Sequence, residues 1–209
     1  MRYNLINYRS LKEAAMRRYS QLAIVFSHTS PDEIEIGTTV KIKNGASSIE
    51  VKDFDSALAL LPPESEVFVK AEGTVDDKTV HRISNSIKMS SVFVALDLSA
   101  VTECSRVTNN PFEKNKNILS MVFPKNLLSI NPRAFAECTR LSSVVIPITT
   151  QKIGQGAFLG CDNLTHLEFL QNDGWNAGGS ATVDLSSPTE NPALFTRPNS
   201  LYSKCELSR

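Results

Sequence analysis

"IGQGAFLGCDNLTHLEF", residues 153–169, is the stretch on which the fold of this chain turns. Its skeleton already stands upstream in "INPRAFAECTRLSSVVI", residues 130–146. Ile153 follows Ile130 by 23 positions, and the same interval separates Ala134 from Ala157, Phe135 from Phe158, Cys138 from Cys161 and Leu141 from Leu164. A fixed period of this size marks a repeat architecture, in which one unit is too small to bury its own apolar face and must stack on a neighbour.

Working outward, two full copies read "ILSMVFPKNLLSINPRAFAECTR" (118–140) and "LSSVVIPITTQKIGQGAFLGCDN" (141–163), and a third opens as "LTHLEF" (164–169). An earlier copy, "FVALDLSAVTECSRVTNNPFEKNKN" (93–117), is two residues longer, with the excess falling in "SAVTECSRV", where a turn absorbs it cheaply. Each copy opens apolar-x-x-apolar-x-apolar, the leucine-rich-repeat pattern, and its alternating end predicts a short strand. Stacked copies place these strands in a parallel sheet about 4.8 Å apart. The expected fold is therefore an α/β solenoid: a short leucine-rich-repeat array of about 23-residue units, led by a strand-helix-strand cap. Phe112, Phe135 and Phe158 are expected to form an internal ladder, with Cys138 and Cys161 as small buried hydrophobes beside it. "NPRAF" has an Asn cap and a Pro at the first turn, which predicts a short helix, and Gly154, Gly156 and Gly160 predict a looser segment in the next copy.

The flanks read differently. Residues 1–46 form a leader, poorly ordered or holding a short helix in "SLKEAAMRRYSQLAIVF". Residues 47–92 give a helix ("VKDFDSALALLP"), a strand ("SEVFVKAEG") and a second helix with Val80, Ile83 and Ile87 on one face, a unit suited to capping the exposed edge of the repeat sheet at 93–170. Residues 171–209 are a turn-rich C-terminal cap and tail holding the sole Trp, Trp175, which either closes the core or anchors a partner.

Lys plus Arg and Asp plus Glu are 22 each in 209 residues, so there is no basic surplus of the kind a nucleic-acid binder shows. The longest apolar run, "LAIVF", is too short to span a membrane, and neither its length nor the residues after it make a clear signal peptide. His28, His81 and His166 fall in separate segments, and no nucleophile elbow, phosphate-cradling loop or metal-ligand cluster is present. No enzyme, metal or cofactor is expected. Function is assigned instead to the outward positions of the repeat strands, Ala95, Asp97, Ser120, Val122, Ser143, Val145, His166 and Glu168, with Trp175 as a further candidate. Small uncharged residues dominate this face, which suits contact with a protein partner. A structural, self-associating module is the alternative.

The skeleton L-x-x-V-x-I-P…I-G-x-x-A-F-x-x-C-x-x-L resembles the BspA-like, or treponemal-type, leucine-rich repeats, specifically across 118–169 and more weakly from 93. "SSPTENPALF…NSLYS" looks like the family's terminal segments. Thr150 and Leu170 depart from it, standing where an apolar residue and a Pro are usual. The resemblance implies a bacterial protein of the cell surface, periplasm or exterior, with an adhesin-like role in attachment to host proteins.

Overall fold

The computed structural model describes residues 54–102, 104–107, 110–177, 185, 191–198 and 206–209 in full, and the backbone alone of strands at 23–28, 39–44, 47–51 and 181–182. Strand β1 (Ala23–His28) is followed by β2 (Thr39–Asn44), β3 (Ser47–Val51), helix α1 (Phe54–Ala59), β4 (Glu66–Gly73), helix α2 (Asp77–Met89) and β5 (Phe93–Val101). The repeats then alternate longer and two-residue strands: β6 (Arg106–Val107), β7 (Ile118–Val122), β8 (Ser129–Ile130), β9 (Ser143–Ile146), β10 (Lys152–Ile153) and β11 (His166–Phe169). Beyond them come β12 (Asn176–Ala177), β13 (Ala181–Thr182), helix α3 (Asn191–Thr196) and β14 (Leu207–Ser208).

Two sheets result. The larger runs β11-β9-β7-β5-β4-β1-β2-β3, parallel from β11 to β1; the smaller runs β13-β12-β14-β10-β8-β6. Each coil thus lays one strand in each sheet, the architecture of a repeat solenoid. Across the larger sheet Ser120 faces Ser143 and Ser143 faces His166, partners 23 residues apart. Between β5 and β7 the offset is 25, with Asp97 opposite Val122, whereas between β6 and β8 it returns to 23, with Arg106 opposite Ser129. The two additional residues of the first copy therefore lie between Asp97 and Arg106.

The core sits between the sheets and is organised by stacked rings. Phe112 and Phe135 lie nearly parallel at 4.9 Å, Phe135 and Phe158 at 5.5 Å, and Phe195 of α3 meets Phe158 edge-on at 6.2 Å. Cys138 and Cys161 are buried beside the rings, but they also hydrogen-bond: each thiol donates to the carbonyl of the phenylalanine one coil earlier, Phe112 (2.9 Å) and Phe135 (3.0 Å). A small side chain that fills space and satisfies a buried carbonyl explains why cysteine suits this position.

The segment containing "NPRAF" is not a helix. Residues 132–137 form successive turns, as do 155–160. Left-handed backbone recurs at matching positions of three coils: Asn110, Arg133 and Gly156 at φ of 52°, 58° and 63°, and Lys114, Glu137 and Gly160 at 60°, 62° and 75°. The glycines thus do not loosen the third coil; they adopt without strain what the other residues adopt at a cost. Backbone bonds lock coil to coil here, Phe135 N–H to the Ala157 carbonyl (2.8 Å) and Glu137 N–H to that of Leu159 (2.7 Å).

At the N-terminal side, helix α2 is capped by Asp76, whose carboxylate accepts from the Thr79 amide (2.8 Å) and hydroxyl (2.7 Å). Its buried stripe, Val80, Ile83 and Ile87, is the one the sequence predicts. Two asparagines dock the helix onto the first coil: Asn115 donates to the Ser84 carbonyl (3.0 Å), and Asn117 to those of Ile87 (3.0 Å) and Ser90 (2.8 Å). β4 is not the end of the sheet. Its far side pairs with β1, and the sheet continues through β2 and β3, so Ala23–Phe26, the end of the helix expected in the leader, is strand. The rest of that leader lies outside the described residues, apart from the backbone of the end of β1 and of β2.

Candidate functional site

Strand alternation sorts the side chains of β5, β7, β9 and β11 into two faces. Leu96, Met121, Val144 and Leu167 enter the core; their neighbours in sequence line the opposite face in two rows. One row is Ala95, Ser120, Ser143 and His166, and the other Asp97, Val122, Val145 and Glu168, each residue the register partner of the next. All eight candidate positions are therefore brought together on one face, opposite the core.

That face is not open. Ala95, Asp97, Val122, Val145 and Glu168 are buried, Val145 at 2 % and Val122 at 8 % exposure; only Ser120, Ser143 and His166 are half-exposed. The expectation of an exposed low-charge patch centred on Val122 and Val145 is thus corrected: alternation assigns a side chain to a face, and what overlies that face decides whether it meets water. Part of the cover is visible, since Phe68, Ala95 and Leu119 form a second small apolar cluster against Phe93, over which the Arg140 guanidinium lies at 4.0 Å. The polar members are held too: Asp97 accepts from the Ser99 amide (2.8 Å), and His166 Nε2 stands 3.6 Å from Glu168 Oε2.

Trp175 is also corrected as a partner anchor. It is fully buried, meets Phe169 edge-on at 5.5 Å and donates its indole N–H to the Gln171 carbonyl (2.7 Å), with Arg209 stacked at 5.7 Å. It closes the C-terminal end of the core. Beside it the buried Asn191 donates to the carbonyl of Leu167 on edge strand β11 (2.9 Å) and to that of Leu185 (3.1 Å). Asn191, like Asn115, went unnoticed in the sequence because a lone asparagine in a turn-rich stretch reads as a loop residue; its place after the last repeat strand was the available signal.

Among the described residues, Cys104, Cys138 and Cys161 offer no reactive centre. Burial, with the Asp77 charge, pushes the Cys104 thiol up to about 12, and the hydrogen bond with Cys138, with burial, raises that of Cys161. Such thiols remain protonated and inert near neutral pH. Among the described residues no group of His, Cys, Asp and Glu could hold a metal ion, and no helix is long and apolar enough to cross a membrane.

Stacked coils, a parallel sheet and a turn-rich return define a leucine-rich-repeat protein. Within that class, residues 85–176 match the BspA type leucine rich repeat region in six copies. No curated protein matches the chain. The family points to a repeat module for protein interaction.

Proposed function

We propose that this protein is a non-enzymatic protein-binding module of the cell surface or exterior, acting in adhesin-like attachment to host proteins. Its contact residues are taken to lie on the face of β5, β7, β9 and β11 opposite the core, in a repeat array spanning 93–170 with units of about 23 residues and the α1–β4–α2 segment as its lead-in. One observation carries this reading: Ser120, Ser143 and His166 form a half-exposed row across three neighbouring strands, with the apolar Val122 and Val145 directly beside it. An accessible polar margin along a mildly apolar strip suits a protein contact better than a sugar or nucleic acid. Ala95, Asp97 and Glu168 complete the face behind that margin.

The test is capture of immobilised extracellular-matrix proteins by the purified chain, compared with Ser120→Lys/Ser143→Lys. Half-exposed substitutions leave the fold within about 0.5 kcal/mol, while two lysines place like charges in a surface that must be desolvated on binding. Loss of capture by the folded variant is expected. Equal capture by both proteins moves the site elsewhere, and no capture by the parent chain removes the adhesin reading.

A further inference from the structure

Helix α3 takes the place of a further coil, and takes it imperfectly. Asn191, Pro192 and Phe195 of α3 repeat Asn131, Pro132 and Phe135 of the second coil in type and spacing. The contacts repeat with them. Phe195 holds the next place in the ring ladder, and the Gly160 N–H donates to the Thr196 carbonyl (2.8 Å) as Lys114 donates to Ala136 (2.8 Å) and Glu137 to Leu159 (2.7 Å). Between the second and third coils Arg133 and Phe135 add two more bonds, to Gln155 and Ala157. Among the described residues, no matching backbone bond runs from Gly156 or Phe158 to α3. A helix directs its carbonyls along its own axis, so α3 is tied to the third coil more loosely than the coils are to each other. A groove of about 590 Å³ lies beside the one remaining bond, between the third coil and α3.

We propose that this groove binds a short peptide segment of a partner protein, one that presents a lysine or arginine beside an apolar residue. Leu159, Leu164 and Pro192 give it apolar walls, and the exposed acids Glu137 and Asp162 line it as well. Both carboxylates are available. Asp162 makes no hydrogen bond or ion pair among the described residues. Glu137 has a single contact, 3.3 Å from Arg133, whose guanidinium is already held by Glu113 through two nitrogens at 2.8 and 3.1 Å. Arg197, the base that also lines the groove, has a partner of its own. The charge left to a ligand is therefore negative, and it lies next to aliphatic surface. A long cationic side chain suits both features, with its methylenes on the walls and its head on the carboxylates. An acidic segment meets like charge in the same place. The volume falls in the range of about 300–1,000 Å³ found for sites that enclose compact ligands. This surface is separate from the strand face proposed above, and its assignment does not rest on that reading.

The experiment titrates the isotope-labelled full chain with the capped peptide Leu-Lys-Leu-Lys, and with Leu-Glu-Leu-Glu as its charge-reversed counterpart, and follows backbone amides by NMR. Shifts at Gly160, Asp162 and Thr196 are expected with the lysine peptide alone. Asp162→Lys, at an exposed turn position, is expected to weaken binding by about tenfold. Raising salt from about 0.05 to 0.5 M is expected to weaken it as well, because the paired charges lie at the surface. No shift at these amides, equal shifts with both peptides, or an unchanged affinity in Asp162→Lys overturns the proposal. Should that variant fail to fold, Ala193→Trp fills the groove from an exposed position of α3. Loss of the peptide-induced shifts is expected there, and undiminished binding overturns the proposal. No matrix protein enters these measurements, so their failure leaves the strand-face reading standing, and failure of matrix capture leaves the groove.

Discussion

The two faces of the repeat sheet are both buried, and they are buried differently. On one, Leu96, Met121, Val144 and Leu167 pack with the phenylalanine stack in a largely apolar interior built from one repeated unit. On the other, Asp97 and Glu168 flank Val122 and Val145, and Ser120, Ser143 and His166 remain half-exposed. The first face is closed by its own repeat, because each coil supplies both the strand and the residues that cover it. The second cannot be, since a solenoid covers only its inside. Burial there is a long-range property, set by what lies against the sheet and not by the repeat unit.

This contrast can be broken by substitution. Phe135→Ala on the inner face removes a ring stacked on both Phe112 and Phe158, and a loss of about 3–5 kcal/mol is expected from the cavity left between coils. Denaturant unfolding would show it, and an unchanged midpoint would mean that the stack does not hold the coils together. Val145→Lys on the outer face comes next. At 2 % exposure it buries an amine between Val122 and Glu168 and is expected to cost on the order of 2 kcal/mol, the carboxylate offsetting part of the desolvation. A loss under about 0.5 kcal/mol would show that face to be open in solution.

A ruler for the comparison is Asp76→Ala, which removes the cap of α2 and is expected to cost about 1 kcal/mol. Burial opposes ionisation of Asp76, but the Thr79 hydrogen bonds outweigh it and hold the carboxyl below its ordinary 3.8. With the folded value below the unfolded one, the cap stabilises fully above the unfolded value and is lost as pH falls through the folded one. The difference between parent and Asp76→Ala should therefore shrink as unfolding is repeated from about pH 5 toward pH 3. A constant difference would show that the carboxylate charge is not what caps the helix. If Val145→Lys costs less than this surface cap, the outer face is not closed.

Much of the inner face was legible from spacing. Phe112, Phe135 and Phe158 recur because stacking coils brings equal positions into contact, and Val80, Ile83 and Ile87 recur because a helix turns every 3.6 residues. The turn at 132–137 was not legible, since Asn131 and Pro132 start a helix and a turn equally well; the inter-coil bonds of Phe135 and Glu137 select the turn. Nor was the role of the cysteines, whose thiol bonds to Phe112 and Phe135 carbonyls depend on a coil 26 residues away. The strands β1, β2 and β3 escaped notice because they pair beyond β4, with no periodic signal linking them to the repeat.

By itself, then, the sequence determined the period, the register of strand on strand and which face of the sheet each side chain takes. These follow from local geometry, 2 residues per strand repeat and one coil per unit, and local geometry is written into neighbouring residues. Only the tertiary structure decided that the face opposite the core is covered, that Trp175 is an interior residue and that the sheet runs on to β3. Each of these depends on which distant segment comes to lie against a given surface, a matter of packing that no window of sequence contains.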